Sequence, residues 1–266
     1  MDALARAQAP PAQEPTPIIA MRGIVKRFGA VQALKGVDLD LYPGEVLGLV
    51  GDNSAGKSTL MKILTGAYRA DAGTIYFEGR PVAIHSPLDS RRLGIEMIYQ
   101  NFALCGNLDV ASNVFLGRWP AARLLVDRRR MEQEAAKVIE RMKFAFPSLR
   151  TPVETLSGGR QQAVAIARAL AFDPKVLIMD EPTANLSPNA SQRLLELVRD
   201  LRGQGVSIII ISHRMQEIFD VGDRISVLRQ GEMVGTLSIA DATEDDVLNL
   251  IVAGRRSRQE GGPARD

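Results

Sequence analysis

The 266 residues are 45% apolar and 24% charged, an ordinary globular composition that supplies a substantial core and suits one large domain or two closely packed subdomains. Lysine and arginine number 33 against 31 acidic residues, and the two signs are interspersed, so no nucleic-acid partner is expected. The single cysteine, Cys105, excludes an internal disulfide and lacks the partners of a zinc site; it reads as a small buried apolar side chain, at home in a reducing compartment.

Residues 1–17 carry four prolines and no apolar core of a leader, which predicts a disordered tail in place of a secretory signal. Residues 18–41 and 73–84 alternate apolar with polar side chains and are broken by glycine, the pattern of antiparallel strands in a smaller flanking sheet. The runs at 46–50, 176–179 and 206–211 are instead nearly continuous in apolar residues. Such strands belong to a parallel sheet buried on both faces. Between about 101 and 150 the pattern turns helical: Met131, Ala135, Val138, Ile139 and Met142 share one face of a helix that Asp127 caps. The run Arg128, Arg129, Arg130 at its start reads as a solvated face. Thr243 and Asp246 form a capping box for a short helix reaching Val252. Residues 255–266 are polar and basic and are expected to fray, and no run approaches the roughly 18 to 20 apolar residues of a membrane helix. The fold class is therefore α/β, with a mainly parallel sheet, an amino-terminal antiparallel β-subdomain and an inserted helical subdomain.

Gly51, Asp52, Asn53, Ser54, Ala55, Gly56, Lys57, Ser58 and Thr59 follow the apolar strand ending at Val50 and open a helical pattern through Leu60, Ile63 and Leu64. This is a P-loop in its proper context. Glycines let backbone N–H groups curl around phosphate oxygens, the helix N-terminus attracts negative charge, Lys57 reaches the β and γ phosphates, and Ser58 binds Mg²⁺. A second apolar strand ends in Asp180 and Glu181. Adjacent carboxylates on an extended chain point opposite ways, so the two are expected to hold separate jobs, Asp180 holding Mg²⁺ through water and Glu181 deprotonating the attacking water. If the position of Ser54 needs a positive φ, a serine there costs about 1 kcal/mol or more, at the expense of nucleotide affinity.

These elements define a P-loop NTPase core; Leu156, Ser157, Gly158, Gly159, Arg160, Gln161 and Gln162, followed by a helical run from Ala163, narrow it. Over residues 18–254 the sequence resembles the ABC cassette family, and Ser157, Gly158 and Gly159 match its signature. By that resemblance they contact the γ-phosphate held by a second copy, which implies a head-to-tail homodimer with two ATP molecules between the subunits. The resemblance likewise makes Gln100 the Q-loop residue, touching Mg²⁺ or the water, His213 the switch histidine at the γ-phosphate, and Phe28 the aromatic that stacks on adenine. His85 is read as a surface or satisfied core residue. Residues 99–117 look most like the single-cassette subunits of bacterial monosaccharide importers of the ribose, xylose and fructose kind. That implies a transmembrane permease, a periplasmic sugar-binding protein met only indirectly, and a place on the cytoplasmic face of the inner membrane. Arg160–Gln161 reverses the family's usual order, and Ala184, Asn185, Leu186 and Ser187 depart from its D-loop wording. Two other readings stay open: a non-transport ABC ATPase acting on ribosomes or DNA, against which stand one P-loop and no long heptad insertion, and a degenerate nucleotide-binding regulator.

Overall fold

The computed structural model describes residues 16–100, 102–122, 125–184 and 186–254. Most of the two predicted tails, residues 1–15 and 255–266, and Asn185 of the D-loop lie outside the described residues. In chain order the elements are β1 (Ile19–Phe28), β2 (Val31–Leu41), β3 (Val46–Val50), α1 (Lys57–Leu64), β4 (Ala72–Phe77), β5 (Arg80–Val82), α2 (Pro87–Arg92) and β6 (Ile95–Ile98). After them come α3 (Val110–Val114), the two-residue strands β7 (Ala121–Ala122) and β8 (Leu125–Val126), α4 (Arg128–Arg141), a 3-10 turn at Val153–Thr155 and α5 (Gly158–Leu170). The chain then runs through β9 (Val176–Asp180), α6 (Pro188–Gly203), β10 (Ser207–Ile211), α7 (Met215–Val221), β11 (Arg224–Arg229), β12 (Glu232–Ser238) and α8 (Glu244–Ala253).

The alternating amino-terminal segments form an antiparallel sheet in the order β2-β1-β4-β5, as their period of two requires. The continuous apolar runs form the interior of a six-stranded sheet, β12-β11-β3-β10-β9-β6, parallel except for β12. Both faces of this sheet are covered, which explains the lack of alternation. Leu47, Leu49, Ile178, Ile209 and Ile211 join a core with α1 and the antiparallel sheet. Leu177, Met179, Ile208 and Ile210 join another with α5, α6 and the inserted helices. Each isoleucine of β10 is at most 3% exposed, a burial worth about 1.5–3 kcal/mol per side chain.

The insertion between β6 and β9 holds α3, α4 and α5 packed on one another. Asp127 caps α4 by accepting from Arg130 N, and Met131, Ala135 and Ile139 are its buried face. Two expectations are corrected here. Ala121–Ala122 and Leu125–Val126 pair as short antiparallel strands where a helical stretch was expected, and Cys105 is only half-buried. Arg128 stays exposed and pairs with Asp109 at 2.6 Å, as a solvated face does. The capping box at Thr243 and Asp246 is present, with both reciprocal bonds.

A close approach fixes α7 against the sheet. A Cβ on Gly48 of β3 would lie 2.3 Å from Ile218 Cγ2, so the helix rests on bare backbone.

Candidate functional site

Four neighbouring parallel strands, β3, β10, β9 and β6, end at the same edge of the large sheet. Their carboxyl ends deliver, in spatial order, the loop 51–56, Ser212 and His213, Asp180 and Glu181, and Tyr99 and Gln100. The register makes them level: Ile211 pairs with both Leu49 and Asp180, and Ile98 pairs with Met179. In an open α/β sheet, ligands bind outside such strand ends.

Gly51 and Gly56 carry the backbone of the loop. Gly51 sits at φ 141°, and a Cβ there would fall 1.8 Å from Leu228 O; Gly56, at φ 103°, caps α1 with its Cβ position 2.8 Å from Ala33 O. Both positions require glycine. Gly51→Ala is expected to lower unfolding stability by about 2 kcal/mol or more, read as a fall in the denaturant midpoint; an unchanged midpoint contradicts the contact with Leu228. Ala55 O accepts from Gly231 N at 3.0 Å, tying the loop to the turn between β11 and β12. Asp52, Asn53 and Ser54 are exposed. Ser54 is not among the residues at positive φ, so the expected strain there does not arise, nor the weakening argued from it.

Lys57 is 9% exposed and its ammonium folds back on the loop, donating to Gly51 O at 2.6 Å and Asp52 O at 2.8 Å. Burial pushes its pKa down, opposed by the charges of Glu181, Asp180 and Asp52. Ser58 Oγ donates to Asp180 Oδ2 at 3.3 Å, and Thr59 follows on α1, half-buried. Asp180 is pushed up from the ordinary carboxylate range by burial, against the hydrogen bond from Ser58; the neighbouring Glu181 charge raises it further. Hydroxyl and carboxylate oxygens side by side suit a hard divalent cation such as Mg²⁺ and not zinc.

Glu181 departs from the extended geometry assumed for it. Its φ is 50°, because the chain leaves β9 with Glu181 N bonded to Ile211 O at 2.9 Å. The two carboxylates still face different groups: Asp180 meets Ser58, while Glu181 Oε2 lies 2.7 Å from His213 Nδ1. That contact is not aligned as a hydrogen bond, and Glu181 Oε2 is a buried acceptor with no hydrogen-bond donor. His213 itself is 63% exposed at the side chain. Gln100 is exposed two residues beyond Ile98.

At the start of α5, Ser157 is the N-cap residue but makes no side-chain cap, and Ser157 and Gly158 are exposed. A Cβ on Gly158 would meet nothing within 4 Å. The N-terminus of this 13-residue helix is thus uncovered, with its first backbone N–H groups open to a ligand. The reversed pair resolves simply: Gln161 donates to Val153 O and Leu156 O at 3.2 Å each, leaving Arg160 exposed. Phe28 is 44% exposed and its ring meets Tyr68 edge-on at 5.3 Å, with Lys26 Nζ 5.4 Å from its centroid. An exposed ring braced from one side is a stacking platform.

Sequence reasoning missed Tyr68 and three groups that hold the loop after Glu181. Gln162 of α5 donates to Pro182 O, Thr183 Oγ1 donates to Glu217 Oε2 at 2.5 Å, and Arg214 pairs with Glu217 at 3.1 Å. No local pattern marks them. His85, read as a surface or satisfied residue, is exposed, with its backbone N–H held by Asp89.

Comparison with known proteins follows this geometry. Residues 34–184 match the ABC transporter family. The chain is 44% identical, over 94% of its own length and 98% of the other, to a fructose import ATP-binding protein of Rhizobium meliloti. It is 48% identical over 94% of its length to a ribose import ATP-binding protein of Rubrobacter xylanophilus, of which it spans about half, 49%. A bacterial ABC transporter cassette solved as a dimer superimposes with a TM-score of 0.71 at 25% identity, over 83% of this chain and 98% of that one.

Proposed function

Because the chain belongs to the ABC transporter family, we propose that it is the ATP-binding and ATP-hydrolysing subunit that powers a membrane importer, with a monosaccharide as cargo. The observation that carries the reading is the delivery of the P-loop, the Asp180–Glu181 pair and His213 by adjacent strand ends. The names of the ribose and fructose import relatives support the cargo class.

Nucleotide enters with its adenine on Phe28 and its phosphates in the backbone N–H groups of residues 51–56. Lys57 then exchanges the carbonyls of Gly51 and Asp52 for phosphate oxygens, which are stronger acceptors. Ser58, Asp180 and Gln100 would hold Mg²⁺, which when bound would neutralise phosphate charge. Glu181 takes a proton from water as the water oxygen attacks the γ-phosphorus; the bond from that phosphorus to the β–γ bridging oxygen breaks, ADP leaves with the electron pair and inorganic phosphate is formed, while His213, beside the carboxylate, keeps the geometry. Ser157, Gly158 and Gly159 of a second copy close over the same γ-phosphate, giving a homodimer in the ATP-bound state. Differential affinity of ATP for the closed pair drives the permease, and hydrolysis reopens it.

No helix among the described residues is long and apolar enough to cross a membrane. In the proposed importer the pore belongs to a separate permease on whose cytoplasmic face this chain sits, with a periplasmic sugar-binding protein beyond. Tagged chain recovered from detergent-extracted membranes of its native cells is expected to bring down a multispanning protein and to hydrolyse MgATP. Recovery with ribosomes alone, or a complex that never turns over ATP, counts against transport.

A further inference from the structure

We propose that Glu217 is a positioning residue of the hydrolytic centre, its carboxylate setting the distance between Glu181 and His213 by holding Thr183 on one side and Arg214 on the other. The proposal rests on the hydrolytic reading of Glu181 and His213 given above.

Glu217 lies in the first turn of α7, where an acidic side chain ordinarily reaches back to the N-cap backbone. It does not do so here: Arg214 N is taken by Ser212 Oγ at 3.0 Å, and α7 has no side-chain cap bond. The carboxylate reaches across to another loop instead. Oε2 accepts from Thr183 Oγ1 at 2.5 Å, and Oε1 pairs with Arg214 at 3.1 Å. Thr183 is 1% exposed, two residues after Glu181, and Arg214 directly follows His213. A closed circuit results. It runs from Glu181 through Pro182 to Thr183, across to Glu217, back to Arg214 and His213, and over 2.7 Å to Glu181 again.

One side of the circuit is anchored to the sheet, since Ile218 of α7 packs directly on the bare backbone of Gly48. The other side is the strained one, with Glu181 held at φ 50°. A hydrogen bond to an ionised carboxylate is strong enough to hold such a loop, and its loss frees Thr183 while leaving the P-loop untouched. Misplacement of a reacting group by about 1 Å costs on the order of 100-fold in rate.

The test uses the full chain with Thr183→Val, which keeps the shape but removes the hydroxyl, Thr183→Ser, which keeps the hydroxyl, and Glu217→Ala. Two readouts are taken: steady-state ATPase, and the imidazole resonances of the chain's two histidines, His85 serving as internal control. Thr183→Val and Glu217→Ala are expected to lower kcat by about tenfold or more with KM within about twofold. Both move the His213 resonances and leave those of His85 in place; Thr183→Ser restores kcat, and the double variant is no worse than the poorer single one. His213 resonances unmoved by either substitution overturn the proposal, as does a Thr183→Ser chain as slow as Thr183→Val, or a rise in KM at constant kcat. A wild-type chain without ATPase defeats the hydrolytic reading alone, and the histidine resonances then decide the positioning role by themselves.

Discussion

Glutamine in place of Glu181 leaves ATP bound while hydrolysis falls by about 10² to 10⁴-fold, the range a positioned general base contributes. The amide keeps the size of the side chain, and the backbone at this position is fixed by the bond from Glu181 N to Ile211 O, so the substitution acts on proton affinity. The carboxylate Oε2 lies 2.7 Å from His213 Nδ1, at the strand ends where the phosphates are proposed to sit. Binding is retained because the exchange removes a negative charge beside the phosphates, which offsets the lost support for the Lys57 charge. Nucleotide binding on filters beside single-turnover hydrolysis separates the two effects. Near-normal turnover in this variant removes Glu181 from the role of base.

Loss of the ammonium in Lys57→Ala acts at the opposite step, weakening nucleotide binding by roughly 10 to 100-fold on the about 1.5–3 kcal/mol scale of charged hydrogen bonds. Two of its donors already serve Gly51 O and Asp52 O, so alanine also releases the hook that shapes the loop before nucleotide arrives. Isothermal titration with a nonhydrolysable analogue measures the affinity, and a thermal melt confirms the fold. Unchanged affinity with unchanged kinetics rejects the phosphate-cradle assignment.

What was legible beforehand divides by the range of the interaction. The buried strands β3, β9 and β10 announced themselves as apolar runs, and the amino-terminal sheet as alternation, because burial on two faces or one writes itself into neighbouring residues. The P-loop was legible for the same local reason: Gly51 and Gly56 answer to steric limits within one turn. The strands Ala121–Ala122 and Leu125–Val126 escaped, since two residues are too few to show a period. Glu181 was read as a continuation of β9, but its conformation is decided by Ile211, which is remote in sequence. Pairs such as Thr183 with Glu217, Gln162 with Pro182 and Phe28 with Tyr68 join residues 34, 20 and 40 positions apart, where only the assembled sheet brings partners together.

The bare backbone at Gly48 limits how this protein could be made sturdier. Glycine-to-alanine exchange inside a strand is a common engineering route to thermal tolerance. Here the added methyl would prise α7 from the strand that feeds the P-loop, and with it the histidine carried just ahead of that helix. Alanine there would lose thermal tolerance and turnover together, so any sturdier version has to leave this position as it stands.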